Sequence, residues 1–201
     1  KELLLAGVDR IYVGEENHAL RIPTNFSYDE LREIAELVHG AGKELTVAAN
    51  ALMHQDMMDH IKPFMELMRE IKVDYLVVGD AGLFYINKRD GYNFKLIYDT
   101  SVFVTSSRQI NFWKDHGAVE AVLAREIPSE ELFDISKKYN CFFADINKEF
   151  SKYSQKKINE DLCGDYMHHP TTFGHQLYYK TIMPVFFEDS VSDGTLYKLV
   201  N

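Results

Sequence analysis

Cysteine, positive charge and long apolar runs are all scarce in this chain. The two cysteines among 201 residues, Cys141 and Cys163, are too few for a disulfide framework or a four-thiolate cluster, and they suit a reducing compartment. No stretch approaches the roughly 18 apolar residues of a membrane helix. No signal peptide is visible, so a cytoplasmic location is expected and a membrane partner is not. Because the chain opens on Lys1 within an apolar pattern, a missing natural N-terminus is also expected. Lys and Arg number 22 against 31 Asp and Glu, for a net charge of −9. That balance favours solubility and argues against nucleic acid as a partner, which would need a basic stripe. The one Lys-rich run, "SQKKIN", is short. Internal repeats and low-complexity segments are lacking too. A small-molecule or peptide substrate remains open, as does the oligomeric state.

What the chain does have is the composition of a globular protein, 46% hydrophobic and 26% charged, at a length that favours one domain. Six short apolar runs predict strands: 10–14, 44–50, 74–80, 94–99, 118–124 and 140–146. Helical spacing marks "SYDELREIAELVHGAG", "HQDMMDHIKPFMELMREIK", "SSRQINFWKDHG", "PSEELFDISKKY" and the final "TTFGHQLYYKTIMPVFFED". Ser27 with Glu30 fits a capping box, and Ser129 with Leu132 fits one less well. Gly42 and Gly117 stand where C-caps are expected. Strand and helix in alternation, with strands apolar on both faces, predict an α/β protein with a mainly parallel sheet. Six strands fit either part of a TIM-like barrel or an open flavodoxin-like sheet.

Parallel α/β folds place their active groups at the C-terminal ends of strands. Those ends are Gly14-Glu15-Glu16-Asn17-His18, Asn50 with His54, Gly79-Asp80, Asp99-Thr100-Ser101 and Arg125-Glu126. Arg125 and Glu126 emerge directly from an apolar strand, where such a pair binds an acidic group and handles a proton, or pairs with neighbouring loops. Asn50, His54, Asp80, Arg125 and Glu126 are the expected substrate-binding residues. His39, on a helix beside apolar neighbours, reads as a packed residue rather than a ligand.

The stretches "AGVDRIYVGEENHALRIPTNFSYDELREIAELVHGAGKELTVAANALMHQDM", "DYLVVGDAGLFY" and "INFWKDHGAVEAVLAREIPSEEL" resemble the collagenase-like peptidases, peptidase family U32, over residues 3–136. The likeness rests on the Gly14 turn, Arg21, Asn25-Phe26-Ser27, His39, Gly42-Lys43, Asn50, His54, Asp80, Gly82 and Leu123-Ala124-Arg125-Glu126. It implies a TIM-barrel-like βα domain. Members carry a peptidase label, and several relatives hydroxylate RNA bases or quinone precursors and hold an iron–sulfur cluster on four downstream cysteines. No such cysteines match here, so no cofactor is expected.

Beyond residue 136 the stretch "KKYNCFFADINKEFSKY…DLCGDYMHHPTTFGHQLYYKTIMP" resembles the closing block of SGNH (GDSL-type) hydrolases. That likeness implies Asp165 as the orienting carboxylate and His169, before Pro170, as the base, with His168 as the alternative. A serine nucleophile needs an imidazole held in one tautomer by a carboxylate, yet no Gly-Asp-Ser block is present; Ala81 stands where "VVGDAGLF" would need the serine. Asp165, His168, His169 and His175 also offer enough ligands for zinc, but the hydrolase likeness accounts for them and no metal site is expected. The expectation is one α/β domain, with residues 1–136 of the collagenase-like peptidase type and 137–201 SGNH-like, joined as a fusion or chimera near 130–140. Its expected function is that of a hydrolase, with an esterase or a non-catalytic scaffold as alternatives.

Overall fold

The computed structural model describes residues 1–20, 24–99, 106–124, 127–154, 162–163 and 170–186. Five of the predicted strands form, as β1 (Arg10–Glu15), β3 (Glu44–Ala49), β4 (Tyr75–Val78), β5 (Leu96–Tyr98) and β6 (Ala118–Ala121). The two-residue β2 (Asn25–Phe26) makes up the sixth. The expected strand at 140–146 does not form. Residues 141–145 carry no strand pairing, and α8 (Ile146–Ser154) starts at its end. The apolar pair Phe142 and Phe143 gave the strand reading, but Phe142 is exposed and Phe143 packs against Phe133, ring centroids 5.3 Å apart.

All strands pair in parallel, in the order β2-β1-β3-β4-β5-β6. From β2 onward every step moves the same way across the sheet; only the step from β1 to β2 runs the other way. With right-handed crossovers, such a progression puts the helices that connect β2 to β6 on one face, as in a barrel, whereas a doubly wound sheet carries helices on both faces. The helices obey this rule. Leu31, Ala35 and Val38 of α2 (Tyr28–Gly40), Phe64, Met65 and Met68 of α4 (Lys62–Glu70), and Leu83 and Phe84 of α5 (Ala81–Arg89) share one core. That core takes Val13, Leu45, Val47, Leu76, Val78, Leu96 and Tyr98, a single parity of the strands. Trp113 of α6 (Ser107–Asp115) packs onto the same core.

The other parity carries Arg10, Tyr12, Thr46, Ala48, Tyr75, Val77, Lys95 and Ile97. At its lower end the Arg10 guanidinium donates to Glu44 at 3.0 Å and to both oxygens of Glu120 at 3.1 and 3.2 Å. A flat sheet would hold β1 and β6 roughly 19 Å apart, four spacings of about 4.8 Å. Two side chains do not span that gap, so the sheet curls toward a barrel, and the contact bridges its arc. The sheet does not close: β2 and β6 are its edges.

The helices depart from expectation in instructive places. Ser27 does form the capping box, its hydroxyl accepting from the Glu30 N–H while the Glu30 carboxylate accepts from the Ser27 N–H at 2.8 Å. The single helix expected over 54–72 is two, α3 (Gln55–Asp59) and α4, because Pro63 in the first turn of α4 has no N–H to continue a helix from α3. Helix α7 (Ser129–Tyr139) is capped by Pro128 without a side-chain bond, not by Ser129. Among the described residues no helix is long and apolar enough to cross a membrane.

The chain divides into two compact units, residues 1–126 and 127–201. The sheet lies in the first. In the second, α8 packs on α9 (Thr172–Phe186) through the Phe150–Tyr178 and Tyr153–Phe173 ring pairs, 5.2 and 5.0 Å apart. Thr171 caps α9 by accepting from the Gly174 N–H at 3.1 Å. A Cβ on Gly174 would meet the Leu162 carbonyl, so glycine permits this close approach.

Candidate functional site

Gly79, just past β4, sets the geometry of the strand ends. A Cβ there would stand against the backbone carbonyls of Asn50 and Asp99, the second at 3.1 Å. Without it, the ends of β3, β4 and β5 draw together. The Asn50 amide then donates to the Asp99 carboxylate at 3.5 Å, while its carbonyl accepts from the Leu20 N–H at 2.9 Å. Asn50 is buried and Asp99 half-buried. Tyr12 points to the same inner face and is half exposed; burial raises its phenol pKa, and the nearby Asp99 charge raises it further. Tyr12, Asn50 and Asp99 thus present an aromatic ring, an amide and a carboxylate together. That set suits a planar polar ligand, stacked on the ring and hydrogen-bonded at its edge.

On the helix side of the same end lies a buried acid–imidazole pair. The Glu15 carboxylate accepts from His18 Nδ1 at 2.5 Å, from the Asn17 side chain at 2.8 Å and from the backbone N–H groups of Asn17 and His18. Burial alone would raise its pKa. The hydrogen bond and charge of His18, with the Asn17 donors, outweigh that and hold it below the ordinary value. The His18 ring packs on Phe64, centroids 4.4 Å apart. Tyr28 stands near enough that burial, then the Glu15 charge, raise its phenol. The pair folds the β1 loop over the core.

The five expected substrate-binding residues separate. Asn50 joins the inner cluster. Asp80 instead caps α5, accepting from the Gly82 N–H at 2.7 Å, and ties down the β3 loop by accepting from the Met53 N–H at 3.1 Å. His54 occupies the N-cap position of α3 but makes no capping bond and is exposed. Arg125 and Glu126 lie outside the described residues, as do Asp165, His168 and His169 of the expected catalytic pair. His175, in the first turn of α9, is exposed. His39 does pack as expected: its ring bonds Asp74 at 3.0 Å, and Asp74 also accepts from the Leu45 N–H. Glu15, His18 and Asp99 were visible as polar strand-end residues, but nothing in the sequence ranked them above their neighbours. Tyr12 carried no signal beyond strand alternation.

Cys141 is exposed and Cys163 half-buried, neither in a disulfide, and two thiols do not fit a four-cysteine iron–sulfur cluster. Among the described residues no group of three His, Cys, Asp or Glu is placed to hold a metal ion.

Comparison with known proteins supplies the rest. The sequence pattern of Peptidase family U32 matches residues 1–147. A solved U32 peptidase superposes with a TM-score of 0.50 at 16% identity, covering 58% of this chain and 51% of that one, which supports the fold. Among curated proteins, tRNA hydroxylation protein P2 of Bacillus subtilis (strain 168) is 29% identical over 133 residues, 66% of this chain and 43% of that protein. tRNA hydroxylation protein P1 of the same strain is 25% identical over 133 residues, 66% of this chain and 32% of its own length. A 23S rRNA 5-hydroxycytidine synthase of Escherichia coli (strain K12) is 24% identical over 132 residues, 66% of this chain and 20% of its own length. The chain therefore spans less than half the length of these curated relatives. Their names overturn the expectation of a hydrolase, whether peptidase or esterase: these U32 relatives act on RNA by hydroxylation. The family match also runs to residue 147, through the region where a chimeric junction was expected, and the SGNH likeness finds no support.

Proposed function

We propose that this chain, which belongs to peptidase family U32, is an RNA-recognising βα portion of a protein that hydroxylates RNA. The observation that carries the reading is that relatives matched over about two thirds of the chain are named for tRNA hydroxylation or for 5-hydroxycytidine synthesis in rRNA. The inner strand ends support it chemically. Enzymes that modify a base take it out of the stack, hold it between apolar or aromatic surfaces and read its edge through hydrogen bonds. Tyr12 offers the stacking ring. Asn50 and Asp99 offer an amide and an acceptor for an exocyclic amino or ring N–H group.

The overall charge of −9 weighs against indiscriminate binding to phosphate backbones. It leaves room for recognition of one exposed base, in which stacking and edge contacts carry the selectivity.

The test is nucleoside analysis by mass spectrometry of tRNA and rRNA from the source cells, with and without the gene. Loss of one hydroxylated nucleoside, restored by the wild-type gene but not by Asp99→Ala, is the expected result. Unchanged hydroxylation in both RNA pools would overturn the reading.

A further inference from the structure

Helices α4 and α5 enclose a cleft of about 890 Å³ that the strand-end cluster does not use. Its size falls in the range of small-ligand sites. One wall is a single face of α4, with Lys62, Glu66 and Arg69 at i, i+4 and i+7. The opposite wall carries Tyr85 and Arg89 of α5, and Tyr92 from the turn that follows. At the upper end lie Gln55 and Met58, which follow β3, and Gly82, which follows β4. The cleft thus starts beside the C-terminal ends of two strands and runs down the outside of the helix layer.

Its side chains are arranged in stacked pairs. The Arg89 guanidinium lies 5.3 Å from the Tyr85 ring, and that of Arg69 lies 4.5 Å from the Tyr92 ring. Each carboxylate in the cleft already has a donor within it. Asp59 accepts from Gln55 at 2.8 Å, Glu66 from the Tyr92 hydroxyl at 2.9 Å, and Asp90 from Arg89 through two bonds. Arg69 adds an ion pair to Glu66 at 3.3 Å. Lys62 makes no hydrogen bond or ion pair among the described residues, and Arg69 and Arg89 keep N–H groups beyond those used. Apart from the part-buried Tyr92–Glu66 bond these pairs are exposed, and such pairs contribute little stability, so the arginine donors exchange readily to a phosphate. Tyr85, at 63% exposure, is a large ring left facing solvent.

We propose that this cleft is a contact surface for single-stranded RNA, with bases stacking on Tyr85 and the Arg89 face and with phosphates on Lys62 and Arg69. The proposal rests on the RNA reading above and extends it: the strand leading to the modified base runs along the α4–α5 groove. Aromatic rings interleaved with arginines are the elements from which single-strand grooves are built. A duplex hides its bases from such rings, so selectivity for unpaired RNA follows.

The 201-residue chain is titrated into a fluorescent single-stranded RNA oligonucleotide at low salt and followed by anisotropy, with a duplex of the same sequence as control. Tyr85→Ala and Arg89→Ala together are expected to weaken single-strand binding at least tenfold. Lys62→Ala is expected to weaken it less and to flatten its salt dependence. All three side chains are exposed, and an unchanged thermal melt verifies that each variant is folded. Wild-type affinity in the double variant would overturn the cleft assignment while leaving the RNA reading intact. Equal binding to the duplex would overturn the single-strand specificity. Absence of binding by the wild-type chain would overturn the cleft assignment as well, and the nucleoside analysis decides the RNA reading independently.

Discussion

Glu15 is almost wholly buried, yet its carboxyl sits below its ordinary value of 4.5 because His18 and Asn17 surround it with donors. A carboxyl whose pKa is lowered on folding contributes stability that is present above its unfolded value. That contribution fades as pH falls through the lower folded value. Denaturant midpoints measured from pH 7 downward are therefore expected to drop below about pH 4.5 in the wild type. In Glu15→Gln the unfolding free energy at pH 7 is lower by about 1–3 kcal/mol for a lost charged hydrogen-bond partner, and the acid-side drop in the midpoint is shallower. Equal pH dependence in the two proteins would show that Glu15 is not a source of it. The same residue shows what the sequence could reveal at this scale. Glu15, Asn50 and Asp99 were legible as polar groups at strand ends. What was not legible is which amides converge on which carboxylate. Asp80 looked like a binding residue and is committed to the Gly82 and Met53 amides, while Asp99 meets Asn50 only because Gly79 lets three strands crowd together.

Among the elements, β1 and β6 meet through side chains although three strands separate them. Arg10 is the link: it stacks 3.8 Å over the Tyr75 ring and grips both Glu44 and Glu120. A two-oxygen contact between guanidinium and carboxylate is the strong form of this bond. Both partners are partly exposed, which limits the loss in Glu120→Ala to about 1 kcal/mol. Urea titrations at low and high salt are expected to show a larger loss at low salt, since screening weakens only the charged contact. A salt-independent loss would mean that Glu120 acts through packing instead. Strands β3, β4 and β5 were legible because buried parallel strands are short and mostly apolar, and β1 and β6 because apolar runs of similar length carry them despite Arg10, Glu15 and Glu120. Residues 140–146 share that composition but form no strand. Helix α5 is masked in the sequence because Gly79 precedes it and Gly82 lies in its first turn, both of which signal a loop, while its start is set by the Asp80 cap. The break between α3 and α4 turns on Pro63, a local signal overridden in the reading by the helical spacing on either side.

For the molecule as a whole, the six-stranded parallel sheet and the arc bridged by Arg10 both belong to residues 1–126, and so does every member of the main core cluster. That length lies within the common domain range, and the cluster joins four helices to one face of the sheet. A fragment of residues 1–126 is therefore expected to fold by itself. The protein's single tryptophan, Trp113, stacks on Tyr98 at 4.2 Å and packs on Phe84 at 4.8 Å, so its fluorescence reports on the core. Urea unfolding of the fragment is expected to give one cooperative transition, coincident by Trp113 fluorescence and far-ultraviolet circular dichroism, with a slope of about 1–3 kcal/mol per molar. Helical signal without a cooperative fluorescence change would mean that residues beyond 126 complete the core. Introducing Phe64→Ala into the same fragment separates the cases further. In a packed core it lowers stability by about 3–5 kcal/mol, whereas in a loosely collapsed fragment it moves neither probe.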